Sequence, residues 1–324
     1  MRSRRARFSL HVFSVLLGLS LQVRTTAQTG MSFSEPSANV LTNGDIPESN
    51  PQTFLTKVRE VNVLFSATDW RGRFVSDLTQ SDVTVFDNGK RLPSITYFLR
   101  EENLPLEVGI LIDVSASVAN VFRAQQKAAT LFLQQTLRPA DKASLIAFGI
   151  DTRMVQDFTP SLSLLSSAIG DLRVGDSSTA IYDAVQTSCE RLAKGRQSEL
   201  TRRALILITD GEDNASKSTL QDAIAAALRS EVVVFALNTN VQPEWTDQSL
   251  KQLAESSGGT LLHAAGEKAL RSAFGRVNQQ LRSQYLLGYK PPHVNAQNTF
   301  HRIRLTSHKF GMRIYCRKGY YVAD

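Results

Sequence analysis

The sequence predicts an α/β fold: a doubly wound, mostly parallel sheet with helices on both faces, inserted in a small antiparallel β-domain formed by both chain ends. Three observations carry this. Between residues 103 and 284, short apolar runs alternate with stretches of helical period, and strands joined through helices at short spacing call for right-handed crossovers and a covered parallel sheet. On both sides of that region the period drops to two, as in strands with one buried face. The strands after residue 284 are too few to be stable alone, so the economical arrangement pairs them with those before residue 103.

In chain order, residues 1–27 read as an export signal. Arg2, Arg4, Arg5 and Arg7 make a positive start, residues 12–21 are apolar but shorter than the ~20 residues of a membrane span, and Thr25-Thr26-Ala27 offers small residues for cleavage before Gln28. The segment holds five arginines and no acid. Without it, 32 basic residues face 30 acidic ones, and the net charge falls from +7 to +2. The basic character therefore belongs to the signal and gives no reason to expect nucleic acid as a partner. Cleavage would leave no transmembrane span, with periplasm, cell surface or medium as the destination. Residues 28–52 are polar, carry Pro36, Pro47 and Pro51, and read as a linker that cannot offset its own ordering entropy.

Residues 53–102 form the first part of the β-domain. Val61, Val63, Phe65 and Ala67 alternate with polar neighbours, Asp69-Trp70-Arg71-Gly72 interrupts, and Phe74-Val75 resumes. Residues 83–86 run into Asp87-Asn88-Gly89, a hairpin signal, and Ile95, Tyr97 and Leu99 alternate on the return.

From residue 103 to 284 the spacing predicts, in turn, a strand over 108–112, a helix over 118–137, and a strand over 143–148. Helices over 163–172 and 180–193 follow, then a strand over 204–208, a helix over 220–228, and a strand over 232–237. A helix over 249–254, a short strand after Gly258-Gly259 and a long helix over 267–284 complete the region. Residues 285–324 return to strands: 285–289, 301–305 with Ile303 and Leu305 inward, and 312–316. Cys189 shares a helical stripe with Tyr182, Val185 and Leu192, and Cys316 alternates with Met312 and Ile314. Both read as small core residues rather than as a disulfide pair.

The run Val108-Gly109-Ile110-Leu111-Ile112 has the look of a strand buried on both faces, and it stops at Asp113-Val114-Ser115-Ala116-Ser117. Alternate residues of extended backbone point to one side, so Asp113, Ser115 and Ser117 can converge on one small hard ion. Open α/β sheets put their ligands at this carboxyl edge. Here the chain resembles the von Willebrand factor type A domains, whose metal-ion-dependent adhesion site opens with Asp-x-Ser-x-Ser in this setting. Their pattern also needs a Thr and an Asp further along. Thr179 stands in Ser178-Thr179-Ala180-Ile181 before a helix, and Asp210 in Ile208-Thr209-Asp210-Gly211 at the end of a second apolar strand. Tyr285-Leu286-Leu287-Gly288-Tyr289 and Arg317-Lys318-Gly319-Tyr320-Tyr321 are similar to the tail of bacterial exported proteins bearing this domain.

The resemblance implies that Ser115, Ser117 and Thr179 supply neutral oxygens and Asp113 and Asp210 supply charge. Two carboxylates with hydroxyls suit Mg²⁺ or Mn²⁺, which keep oxygen shells and retain water. An ion so little neutralised stays electrophilic and can accept an acidic side chain from a protein partner. The alternative for these residues alone is local: Asp113 capping a turn and the serines satisfying backbone N–H groups. Asp141 and Asp151 read as turn residues, Glu212 and Asp213 as outer groups or caps of the next helix, Asp183 as a carboxylate favoured at a helix start, and His263 as structural.

Enzyme classes fare poorly. No Gly-x-Ser-x-Gly elbow or Gly-x4-Gly-Lys-Ser/Thr loop occurs, and Ser115 stands where haloacid-type phosphatases carry their second Asp. The histidines at 11, 263, 293, 301 and 308 show no metal-ligand spacing. The sequence therefore reads as an exported adhesion module using a divalent ion. The other reading is a structural subunit of an envelope complex, in which the metal only stabilises the fold.

Overall fold

The structure, a computed structural model, describes residues 60–175, 178–194, 201–211, 213–241, 247–292 and 299–322. The expected signal and linker, residues 1–52, lie outside the described residues.

The chain enters a β-sandwich first. Strand β1 (Val61–Thr68) alternates as expected, and β2 (Val83–Asp87) turns through Asn88 and Gly89 into β3 (Lys90–Arg91). Both turn residues have positive φ, +47° and +81°, the type I′ geometry that fits the right-handed twist of a hairpin. The expected return strand carrying Ile95, Tyr97 and Leu99 is not there. The return ends at Arg91, and β4 (Tyr97–Glu101) leaves for the other sheet, where Leu99 is exposed.

Next come β5 (Leu106–Asp113), α1 (Phe122–Thr136), β6 (Lys142–Phe148), β7 (Thr152–Thr159), α2 (Leu162–Asp171) and α3 (Ile181–Lys194). They are followed by β8 (Arg202–Thr209), α4 (Leu220–Arg229), β9 (Val232–Asn238), α5 (Asp247–Ser257), β10 (Leu261–His263) and α6 (Glu267–Arg282). The six strands run β10-β9-β8-β5-β6-β7, all parallel except β7, an antiparallel edge strand that the sequence reading lacked. β8 is buried along its whole length and β5 at all but Glu107, which is why both read as unbroken apolar runs. Val108, Ile110 and Ile112 pack on α1, α2 and α6, whereas Leu111, Leu205 and Leu207 pack on α3, α4 and α5.

The chain then supplies β11 (Gln284–Tyr289), β12 (Phe300–Ser307), β13 (Arg313–Cys316) and β14 (Gly319–Tyr321). One antiparallel sheet is ordered β13-β1-β11-β4 and the other β14-β12-β2-β3, so each combines strands from both chain ends. Between them lies a core of Val63, Phe65, Val83, Val85, Tyr285, Leu287, Ile303 and Leu305. Asp87 is fully buried there. Its carboxylate accepts from the hydroxyls of Tyr289 at 2.9 Å and Tyr320 at 3.0 Å, and His301 Nδ1 lies 2.9 Å away. Cys189 and Cys316 are free thiols, the first buried and the second packed at the rim of the sandwich core. No helix among the described residues is long and apolar enough to cross a membrane.

Candidate metal site

The expected residues gather at the carboxyl edge of the parallel sheet, where β5 and β8 end side by side. The register pairs Ile112 with Ile208, which places Asp113 next to Thr209 one step on. The Thr209 hydroxyl donates to Asp113 Oδ2 at 2.7 Å and accepts the Gly211 N–H at 3.1 Å. The Ser115 N–H donates to Asp113 Oδ1 at 2.8 Å. Each carboxylate oxygen is thereby fixed by one donor and keeps acceptor capacity for another group. Burial pushes the Asp113 carboxyl above its ordinary value against the pull of Ser115 and Thr209, and the charge of Asp210 adds to the rise.

Ser115 is buried and leads into a single 3₁₀ turn, Ala116–Val118, which brings Ser117 to the surface. The two hydroxyls face each other at 3.0 Å. Asp210 follows β8 directly, and Gly211 beyond it reverses the chain with φ +94°, which glycine alone adopts at little cost. Asp210 Oδ1 is buried and has no hydrogen-bond partner.

Thr179 is buried on the segment before α3, and that segment is sewn to its neighbours. Its N–H donates to Asn214 Oδ1 at 2.8 Å, and its carbonyl accepts the N–H groups of Asn214 and Ala215 at 3.0 and 3.2 Å. The Ala180 N–H reaches the Gly149 carbonyl just past β6 at 2.8 Å. Asp213 Oδ1 accepts the Ile181 N–H at 2.7 Å and the Ser216 hydroxyl at 2.6 Å, while Ser216 Oγ takes the Tyr182 N–H at 3.0 Å. The loop after Asp210 is thus bound to Thr179 and to the first turn of α3.

All five expected residues therefore stand on segments joined at one edge. Sequence reasoning missed Thr209, Asn214 and Ser216 among the residues that hold them, and gave Asp213 as an outer group or a cap of the next helix. Thr209 was readable as a hydroxyl at the end of the strand adjoining β5. The others belong to a polar run before α4 whose side chains cap α3, not the helix that follows; α4 has its own capping box of Thr219 and Asp222. Glu212 lies outside the described residues. Asp183 accepts the Lys217 and Ser218 N–H groups at 2.9 and 2.8 Å, Asp151 is an exposed turn residue, and His263 Nε2 lies 3.4 Å from Asp247 at the surface.

Asp210 Oδ1 tests whether a cation fits. A buried carboxylate oxygen without a donor carries a desolvation cost that a cation beside it removes. The charge of Asp210 acts on Asp113 and is of like sign, a repulsion that a cation there would offset. Among the described residues no group of three His, Cys, Asp or Glu side chains has metal-holding geometry. The donor set here is instead two carboxylates and three hydroxyls, all hard oxygens, and it fits a hard divalent ion.

A doubly wound sheet with this oxygen cluster at the end of its central strands defines a class of ion-assisted binding modules. The family model of the von Willebrand factor type A domain matches residues 107–276, more than half of the 324 residues. The chain belongs to that family, whose members are known for protein interaction through a metal-ion-dependent adhesion site. No curated protein matches. Among solved structures, the conserved hypothetical protein BatB from Bacteroides thetaiotaomicron is 16% identical, with 56% of this chain covering 100% of that one at a TM-score of 0.44. A von Willebrand factor type A protein from Catenulispora acidiphila is 12% identical over 84% of this chain and 76% of that one, TM-score 0.48. Proximal thread matrix protein 1 from the mussel byssus, with zinc in its own adhesion site, is 17% identical over 60% of this chain and 49% of that one, TM-score 0.47.

Proposed function

We propose that this chain is an exported binding module that takes Mg²⁺ or Mn²⁺ on Asp113, Ser115, Ser117, Thr179 and Asp210 and engages an acidic group of a protein partner through it. The observation that carries the reading is the buried, unpartnered Asp210 oxygen beside the buried Asp113 carboxylate, which the hydroxyls of Ser115 and Thr209 already approach. Bound there, a divalent ion would supply an electrophilic position for a partner's carboxylate. The chain's own part is orientation. Thr209 and the Ser115 N–H aim the two Asp113 oxygens, and the loop after Asp210 is tied to Thr179. The two carboxylates balance the ion's formal charge and the hydroxyls are weak neutral donors, so a coordination position left open would take a partner's carboxylate as a further hard oxygen ligand. Export rests on the character of residues 1–27.

The test is isothermal titration of Mg²⁺ and Mn²⁺ into the chelator-stripped chain and its Asp113→Ala and Asp210→Asn variants. Saturable binding that both variants lose supports the site. Titrations without heat, together with a melting temperature indifferent to the ion, would overturn it. At an ion concentration a hundred times Kd, linkage predicts about 2.7 kcal/mol of added stability. Chelator should abolish partner capture while the chain stays folded; capture that survives chelator would instead favour the structural-subunit reading.

A further inference from the structure

Two neighbouring turns of the β-sandwich present aromatic rings to solvent. Trp70, after β1, is 72% exposed, and Phe310, between β12 and β13, is fully exposed. The turns touch. β1 and β13 are paired as far as Thr68 and Arg313, and a Cβ on Gly311 would sit 3.2 Å from that of Trp70.

The first turn is held in place. Asp69 Oδ1 accepts the Arg71 and Arg73 N–H groups at 2.9 Å each, and Oδ2 pairs with the Arg73 guanidinium at 2.8 Å. In the second, the His308 N–H donates to the Asp82 carbonyl at 2.9 Å, and Lys309 Nζ lies 3.3 Å from the Asp82 carboxylate. These contacts hold the backbone of both turns in place.

Cations lie at the first turn. Arg71 stacks over Trp70 at 4.5 Å, and the Arg276 guanidinium of α6 lies against Gly72. Arg73 and Lys309 are paired with Asp69 and Asp82, so Arg71 and Arg276 carry the positive charge offered there. A stable protein interface needs roughly 800 Å² on each side around an apolar centre, more than two rings on turn tips provide. The chemistry matches a bilayer surface instead: tryptophan settles at the headgroup level, and arginine and lysine attract anionic headgroups within a Debye length.

We propose that these paired turns dock the chain on anionic phospholipid, with Trp70 and Phe310 entering the headgroup layer and Arg71 and Arg276 meeting lipid phosphates. The metal site takes no part, so chelator leaves this binding unchanged.

The test uses the full chain with Trp245→Phe, which makes Trp70 its sole tryptophan. It is mixed with phosphatidylcholine vesicles with and without phosphatidylglycerol, and with vesicles carrying brominated acyl chains. Expected are binding that depends on phosphatidylglycerol, a blue shift of Trp70 emission, and quenching by the brominated lipid. In the natural background, Trp70→Ala with Phe310→Ala should weaken vesicle partition about tenfold or more at an unchanged melting temperature. Arg71→Ala with Arg276→Ala should remove most of the preference for phosphatidylglycerol. Solvent-like Trp70 emission on vesicles, equal partition of the double aromatic variant, or no vesicle binding would each overturn the proposal and leave a protein as what covers the tips.

Discussion

Thr209→Val removes one hydroxyl and keeps a β-branched side chain of nearly the same shape, so the strand should tolerate it. The change deletes the donor to Asp113 Oδ2 and the acceptor of the Gly211 N–H. Both contacts are buried, and the first is to a carboxylate, a kind of hydrogen bond worth about 1.5–3 kcal/mol. Two effects follow. The ion-free chain should lose about 1–3 kcal/mol of stability, because a buried N–H is left without its acceptor. The ion affinity should fall about 10- to 100-fold, the usual consequence of losing a group that orients a ligand from behind, equivalent to about 1.4–2.8 kcal/mol. Melting in chelator reads the first effect and isothermal titration of Mg²⁺ the second. A variant that melts lower in chelator yet binds Mg²⁺ as tightly as the parent would refute the argument that Thr209 aims Asp113 at an ion.

Three further outcomes can be checked by simpler means. Arg282 Nη2 pairs with the buried Asp141 carboxylate and donates to the Thr136 carbonyl at 2.7 Å, so Arg282→Met should cost about 3 kcal/mol in a denaturant melt, with Asp141→Asn in the same chain restoring part of it. Asp69, Asp82, Asp183 and Asp222 all have folded values held below 3.8. Their contribution is complete above 3.8 and fades as pH falls through the lowered values, so melting temperature should fall modestly below about pH 4, because solvent screens these groups, and less so in Asp183→Asn. Burial pushes the Cys316 thiol up to about 11 and the Cys189 thiol higher still, so a thiol reagent should label the native chain slowly, and reductant should leave its melting temperature unchanged.

What the sequence made legible is what was local. β5 and β8 announced themselves because burial on both faces removes polar alternation, and Asp113, Ser115 and Ser117 lie within five residues of one another. The misses share a cause: the deciding partner is far along the chain. Tyr97–Glu101 follows a true hairpin signal, but the turn says only that the chain reverses. Pairing with β11, nearly two hundred residues on, decides which sheet it joins. β7 is a half-buried edge strand whose register against β6 shifts twice, so neither face alternates cleanly. Asp141 looked like a turn residue because its burial depends on Arg282. At the site three of the five proposed ligands, Asp113, Ser115 and Ser117, form a short motif, whereas Thr209 acquires its role only from the β5–β8 register.

That Asp141–Arg282 contact also shows how the two parts of the fold are joined. The chain passes from sandwich to parallel sheet between β4 and β5 and returns between α6 and β11, and both crossings lie at the amino edge of the sheet. Asp141 Oδ1 accepts the Leu106 N–H at 2.8 Å and Oδ2 the Arg138 N–H at 2.8 Å, while Arg138 and Arg202 reach the carbonyls of Glu102 and Glu101 at 3.1 and 2.9 Å. Arg282 closes the second crossing onto the same carboxylate. The proposed ion site is at the opposite end of β5, seven residue steps or about 23 Å away. Both crossings thus leave the carboxyl edge without a covalent connection to the sandwich. Loosening the latch should therefore change stability and leave ion affinity alone, whereas Thr209→Val should change both. Titrating Mg²⁺ into Arg282→Met separates the two: an affinity that falls with the latch would mean the sheet transmits strain along β5, and the independence argued here would be wrong.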